Sequence, residues 1–127
     1  MRGERLKAGR NNRKTGQTYE AVAADYLQSM GYAILERNYR CPYGEIDVIA
    51  KSGAYLVFVE VKYRRSSVCG SPGEAVDRRK QRRISRAALS YYGRNGYEQQ
   101  IPCRFDVIGV DGKGEISHIE NAFDFCG

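Results

Sequence analysis

The chain has 127 residues, of which 42% are hydrophobic and 11% aromatic, so it suits a single globular domain and not a disordered chain. Its apolar runs are far shorter than a membrane span, and no apolar segment follows the basic N-terminus, so we expect a cytoplasmic protein with no membrane partner. The four cysteines include no Cys-x-x-Cys pair, which argues against a zinc module and gives no support for a disulfide framework.

The net charge of +6 is concentrated in two segments. Residues 1–14 hold six Lys or Arg and one Glu, and residues 74–86 hold six Lys or Arg against two acidic residues. This clustering predicts a polyanionic partner, with nucleic acid first, although a solvated charged helix or a solubility tail would give the same pattern. Residues 1–14 lack apolar periodicity, so we expect a flexible basic arm before a single domain at 15–127.

A first helix is predicted from Thr15 to the cap residue Gly31. Its apolar residues recur with helical period, at Tyr19, Val22, Ala23, Tyr26, Leu27 and Met30. Glu20 lies beside this stripe among small neighbours, which would let the helix pack closely and aim Glu20 inward. The alternative is a carboxylate favoured by the dipole near a helix N-terminus.

Three strands are predicted next, at 32–39, 44–50 and 54–62. The last two flank the short turn Lys51-Ser52-Gly53 and should pair as an antiparallel hairpin.

Acidic side chains gather on one face of this hairpin. Because side chains alternate along a strand, Glu45 shares a face with Asp47, and Glu60 shares a face with Lys62. Unpaired buried charge is costly, so this gathering predicts a divalent-metal site. The alternative is a simple ion pair between Glu60 and Lys62 next to Asp47.

A second helix is predicted from the capping box Ser71-Pro72-Gly73-Glu74 to Gly93. Its apolar line is Val76, Lys80, Ile84, Ala87, Ala88 and Tyr91. Lys80 interrupts that line, so either its stem packs while its ammonium reaches solvent, or it points at the acidic site. The basic residues of the helix and of the preceding loop form the predicted nucleic-acid contacts: Arg64, Arg65, Arg78, Arg79, Lys80, Arg82, Arg83 and Arg86.

Two further strands, at 103–110 and 115–120, flank the Asp111-Gly112 turn. The order α-β-β-β-α-β-β predicts an α/β domain with a mixed central sheet flanked by helices. Asp106 is expected to pair with an arginine of the scaffold. His118, the only histidine, is expected to be structural or to lie at an interface.

Asp47, followed thirteen residues later by Glu60-Val61-Lys62 and preceded by a helical glutamate, resembles the PD-(D/E)xK nuclease superfamily. More closely, the chain resembles the YraN-like family of small bacterial proteins. The matching elements include Gly16-x-x-x-Glu20-x-x-Ala23, Gly44-Glu45-Ile46-Asp47, Val57-Phe58-Val59-Glu60-Val61-Lys62-x-Arg64, Lys80-Gln81-Arg82-Arg83-Ile84 and Arg104-Phe105-Asp106-Val107. The resemblance implies a restriction-endonuclease-like three-layer core.

The resemblance also implies roles for the site residues. Asp47 and Glu60 would ligate a metal, the carbonyl of Val61 would complete the inner shell, Glu20 would support it, and Lys62 would be the catalytic lysine. Ile46 replaces the proline of the superfamily's name pattern. Oxygen ligands without cysteine or histidine favour Mg²⁺ or Mn²⁺.

These observations predict a metal-dependent nuclease acting on DNA, with branched or structured DNA among its candidate substrates. The alternative is a nucleic-acid-binding or partner-recruiting module that keeps the fold and cleaves nothing. RNA stays open as a substrate, because 10 tyrosines offer stacking platforms. A homodimer is expected by analogy alone, with one site for each of two strands.

Overall fold

The computed structural model describes residues 18–64, 76–98 and 100–126. The predicted basic arm at 1–14, the loop residue Arg65 and the capping box at 71–74 lie outside these ranges. The elements are α1 (Tyr19–Ser29), β1 (Ala33–Cys41), β2 (Gly44–Ser52), β3 (Tyr55–Arg64), α2 (Arg78–Arg94), β4 (Cys103–Asp111) and β5 (Ile116–Phe123). The predicted order α-β-β-β-α-β-β is confirmed.

The strands form one five-stranded sheet in the order β1-β2-β3-β4-β5. Neighbours are antiparallel except β3 and β4, which run parallel, so the sheet is mixed as predicted. The parallel pair requires a crossover connection, and α2 lies within it.

The two helices cover opposite faces of the sheet. On one face, α1 buries Val22, Ala23 and Leu27 against a cluster that includes Val57 and Val59. On the other face, α2 buries Ile84, Ala87 and Tyr91 against a separate cluster, which includes Phe58 and Phe105 of the sheet. Helix, sheet and helix are therefore stacked in three layers around two apolar cores, as a restriction-endonuclease-like core requires.

Both helices begin later than predicted. Thr18 is extended and its hydroxyl accepts a hydrogen bond from the Ala21 N–H at 3.1 Å, so α1 begins at Tyr19 and not at Thr15. Asp77 accepts a hydrogen bond from the Lys80 N–H at 2.9 Å and caps α2. Each cap satisfies a donor that a helix leaves free in its first turn.

Neither helix in the ranges above is both long enough and apolar enough to cross a membrane.

Candidate metal centre

The strands β2 and β3 separate at the predicted site. Their paired positions run from Ser52 opposite Tyr55 to Val48 opposite Val59. Beyond that point the start of β2 stays paired with β1, and the end of β3 stays paired with β4. We call this divergence the fork. Asp47 and Glu60 are the first residues beyond Val48 and Val59, the last pair that β2 and β3 share.

The side chain of Asp47 links β2 to β3 at the fork by a hydrogen bond. Its Oδ2 atom accepts a hydrogen bond from the Val61 N–H at 2.8 Å. A carboxylate thus satisfies a backbone donor where the β2–β3 ladder has ended. The hydrogen bond also ties Asp47 directly to the Glu60-Val61-Lys62 motif, so the first and second parts of the predicted motif meet.

The carboxylate pair of Asp47 and Glu60 is buried, since each residue is only 8% exposed. Burial first, and then the negative charges of Glu60, Glu20 and Glu45, raise the pKa of Asp47 to about 7 against the lowering effect of the Val61 hydrogen bond. A cation placed here would favour the ionised carboxylate, because it would offset both the burial and the repulsion. The electrostatics of the fork therefore suit a cation.

Lys80 supplies a positive charge at this site. Its Nζ atom lies 2.9 Å from Oε2 of Glu60, and the contact raises the pKa of Lys80. Of the two alternatives for Lys80, the structure shows the one in which the side chain points at the acidic site. Its ammonium contacts Glu60, and the positive charge of Arg83 acts on it from the same helix.

The other predicted site residues lie around the carboxylate pair. Glu20 is half-buried in the first turn of α1, and its negative charge raises the pKa of Asp47. Lys62 is half-buried on β3, opposite Gly109 of β4. Glu45 is exposed, and its Oε1 atom lies 3.2 Å from Nε of Arg40. Because this ion pair is exposed to solvent, Glu45 lies at the rim of the site.

Within the described ranges, no three His, Cys, Asp or Glu side chains are grouped so that they could hold one metal ion. The structure therefore does not bring Glu20 into a three-carboxylate set with Asp47 and Glu60. Mg²⁺ is usually held by one or two protein carboxylates and keeps several waters, so two carboxylates and a backbone carbonyl fit that ion. The donor set suits a small hard cation that remains largely hydrated.

A cleft of about 340 Å³ opens beside the carboxylate pair and is called the basic cleft below. It is lined by Arg40, Cys41, Gly44, Glu45, Lys80, Arg83 and Ile84. Sequence reasoning missed Arg40, whose position on β1 carries no motif. Five arginines of α2 are exposed and form the arginine ridge: Arg78, Arg79, Arg82, Arg83 and Arg86. The predicted contact Arg64 is half-buried at the end of β3.

A second polar cluster centres on Asp106 and is fully buried there. Arg104 donates to both carboxylate oxygens at 2.9 Å, and the Asn121 N–H donates at 3.0 Å. His118 Nε2 lies 2.8 Å from Asp106, and its Nδ1 lies 3.0 Å from the Tyr26 hydroxyl. Burial alone would raise the pKa of Asp106, but the hydrogen bonds from His118, Arg104 and Asn121 lower it.

The Asp106 cluster joins α1 to β4 and β5. Asp106 is paired with Arg104, as predicted, and the contacts of His118 agree with the structural role expected for it. Since Asp106 aligns with Val59, which packs under α1, the cluster lies on the α1 side of the sheet. Glu60 faces Lys80 on the α2 side. The two acidic sites are separate.

Comparison with known proteins shows the family to which this chain belongs. Residues 19–110 match the model of the "Uncharacterised protein family UPF0102". A UPF0102 protein of Lachnoclostridium phytofermentans is 51% identical, covering 92% of this chain and 98% of that protein. A UPF0102 protein of Geotalea daltonii is 46% identical and covers 99% of each chain. The matched range includes both carboxylates of the fork, α2 and Asp106. The chain belongs to the UPF0102 family, the YraN-like proteins of the restriction-endonuclease-like superfamily.

Proposed function

We propose that this protein is a metal-dependent nuclease that hydrolyses phosphodiester bonds of DNA. The observation that carries the proposal is the buried carboxylate pair at the fork, tied through Val61 to the strand that bears Lys62. Buried carboxylates that repel one another are costly, and a carboxylate whose pKa is raised by burial and neighbouring charges, as that of Asp47 is, marks a candidate functional site.

Asp47, Glu60 and the Val61 carbonyl would hold Mg²⁺ or Mn²⁺, with Glu20 adding negative charge from α1. When bound, such an ion polarises a phosphoryl oxygen and lowers the pKa of a coordinated water. Lys62 would donate a hydrogen bond to the phosphate and stabilise the charge that develops on it. The arginine ridge would bind flanking phosphates, which positions the strand without reading its sequence.

A cleavage assay tests this proposal. Single-stranded, duplex, flap and four-way DNA are incubated with Mn²⁺ and with EDTA, and products are resolved on denaturing gels. We expect metal-dependent cleavage of at least one substrate, reduced about 100-fold or more in Asp47→Asn, Glu60→Gln and Lys62→Ala. The matched control is Asp124→Asn, an exposed residue outside the site. Equal cleavage by wild type and the three site variants would refute the assignment.

A second candidate function is nucleic-acid binding without cleavage. The exposed arginine ridge supports it, since that surface needs no metal to bind phosphate. Affinity for DNA should then fall steeply with salt, and Arg83→Ala should reduce the salt slope by about 1. The matched control is Lys51→Ala, an exposed lysine on β2. Salt-dependent binding without cleavage of any of the four DNA substrates would favour this function over hydrolysis.

An RNA substrate, a homodimer and a cytoplasmic location stay predictions. Repeating the assay with RNA of the same sequences tests the first. Sedimentation of the protein with and without DNA tests the second.

A further inference from the structure

The contact between Lys80 and Glu60 has two unequal partners. The Glu60 side chain is 8% exposed and fixed on a sheet strand, whereas the Lys80 side chain is 46% exposed. The lysine stem has four rotatable carbons and its ammonium is a mobile point charge. If another cation occupied Glu60, Lys80 would therefore move and Glu60 would stay.

The basic cleft is the place to which Lys80 could move, because the side chain already lines it. Arg40 and Arg83 line the same cleft, so three cationic side chains surround it with Glu45 as the acidic one. Arg40 contacts Glu45, but both side chains are more than half exposed, so solvent weakens this pair and leaves Arg40 able to bind another anion. A phosphate of a nucleic acid suits such a cleft.

We propose that Lys80 exchanges partners: it neutralises Glu60 in the metal-free protein and binds a substrate phosphate in the basic cleft when a divalent metal occupies Glu60. Lys80 is then a substrate-binding residue that lies outside the Asp47 and Glu60-Val61-Lys62 motif. This inference rests on the metal site proposed above.

The exchange makes metal binding and DNA binding interdependent. The metal must displace an ammonium from Glu60, which weakens metal binding to the free protein. A DNA phosphate binds the displaced ammonium of Lys80. Metal binding therefore increases the affinity for DNA, and DNA binding increases the affinity for metal by the same factor.

Calorimetry of Mn²⁺ binding tests the first half of the inference. Lys80→Met removes the competing ammonium and should tighten Mn²⁺ binding about threefold to tenfold, while Lys80→Arg keeps the charge and should bind much as wild type does. The matched control is Lys51→Met, which loses the same charge at an exposed residue of β2 outside the site and should change affinity less than about twofold.

Fluorescence anisotropy tests the second half. Labelled duplex DNA is titrated with protein in EDTA and in Ca²⁺, which replaces Mn²⁺ to keep the DNA intact. The ratio of the two dissociation constants measures the coupling. We expect that ratio to be at least about threefold smaller in Lys80→Met than in wild type and unchanged in Lys51→Met.

The possible failures are distinguishable. If Mn²⁺ does not bind the wild-type protein, the proposed metal site is wrong and the exchange falls with it. If Mn²⁺ binds wild type and Lys80→Met with equal affinity, or if metal strengthens DNA binding equally in both, the exchange is refuted and the metal site stands. Because Lys80→Arg must behave as wild type does, a large loss of metal–DNA coupling in that variant would also refute the exchange.

Discussion

Replacing Asp47 with asparagine should stabilise the metal-free protein. Asparagine keeps the shape of the side chain and an oxygen that can accept the Val61 N–H, but it removes the charge. Burial, followed by the charges of Glu60, Glu20 and Glu45, raises the pKa of Asp47 from 3.8 to about 7. The ionised carboxylate is therefore disfavoured in the folded protein relative to the unfolded chain.

The sign and size of the effect follow from this shift. The folded protein binds the proton more tightly than the unfolded chain, so the free energy of unfolding falls as the pH rises from about 4 to about 7 and stays lower above that range. A shift of about three units sets a ceiling of about 4 kcal/mol. Relaxation around the site lowers this, so we expect Asp47→Asn to be more stable than wild type by about 1–2 kcal/mol at pH 8 and by less than half of that at pH 5.

Urea unfolding in EDTA, followed by circular dichroism at both pH values, measures the difference. With a typical slope of about 2 kcal/mol per molar urea, the midpoint at the higher pH should rise by about 0.5–1 M. Exposed Asp124→Asn is the control and should leave the midpoint unchanged. Added Mg²⁺ should stabilise wild type and not Asp47→Asn. A variant that is less stable than wild type at the higher pH, or a difference independent of pH, would refute the reasoning.

Two further substitutions test the scaffold. Asp106→Asn leaves the guanidinium of Arg104 without its buried counter-charge and should lower the free energy of unfolding by about 3–5 kcal/mol in urea. The folded-state pKa of Asp106 is held below 3.8, so the wild-type protein should lose this stability as the pH falls below about 4. If wild type and Asp106→Asn lose the same stability in an acid titration, the assignment is contradicted. Gly109→Ala would place Cβ 2.5 Å from the Arg64 side chain and should cost about 1–3 kcal/mol. Gly93→Ala, where the added Cβ meets open space, is its control, and equal melting temperatures for the two variants would show that Gly109 is not crowded.

Local patterns account for the parts of the fold that were predicted well. Strands β2 and β3 contain the apolar runs 48–50 and 56–59 on either side of a short turn, so their pairing depends on neighbours in the chain. That pairing brings Asp47 and Glu60 together, because alternation and a tight hairpin leave little freedom of register.

Helix starts were predicted less well because several residues can cap a helix. Thr15 and Thr18 compete in front of α1, and Ser71 and Asp77 compete in front of α2. Each cap is worth about 1 kcal/mol, so local preference does not decide among them. Packing does decide, since Val76 is buried immediately before the cap of α2.

The sequence by itself determined the order of elements, the hairpin and the acidic residues at its fork, because each depends on residues close together in the chain. Only the tertiary structure decided where Lys80 points and what surrounds His118. The contact of Lys80 with Glu60 depends on how α2 crosses the sheet, and that of His118 with Tyr26 joins residues 92 positions apart. The tertiary structure thus turned a predicted carboxylate site into one whose counter-charge comes from α2.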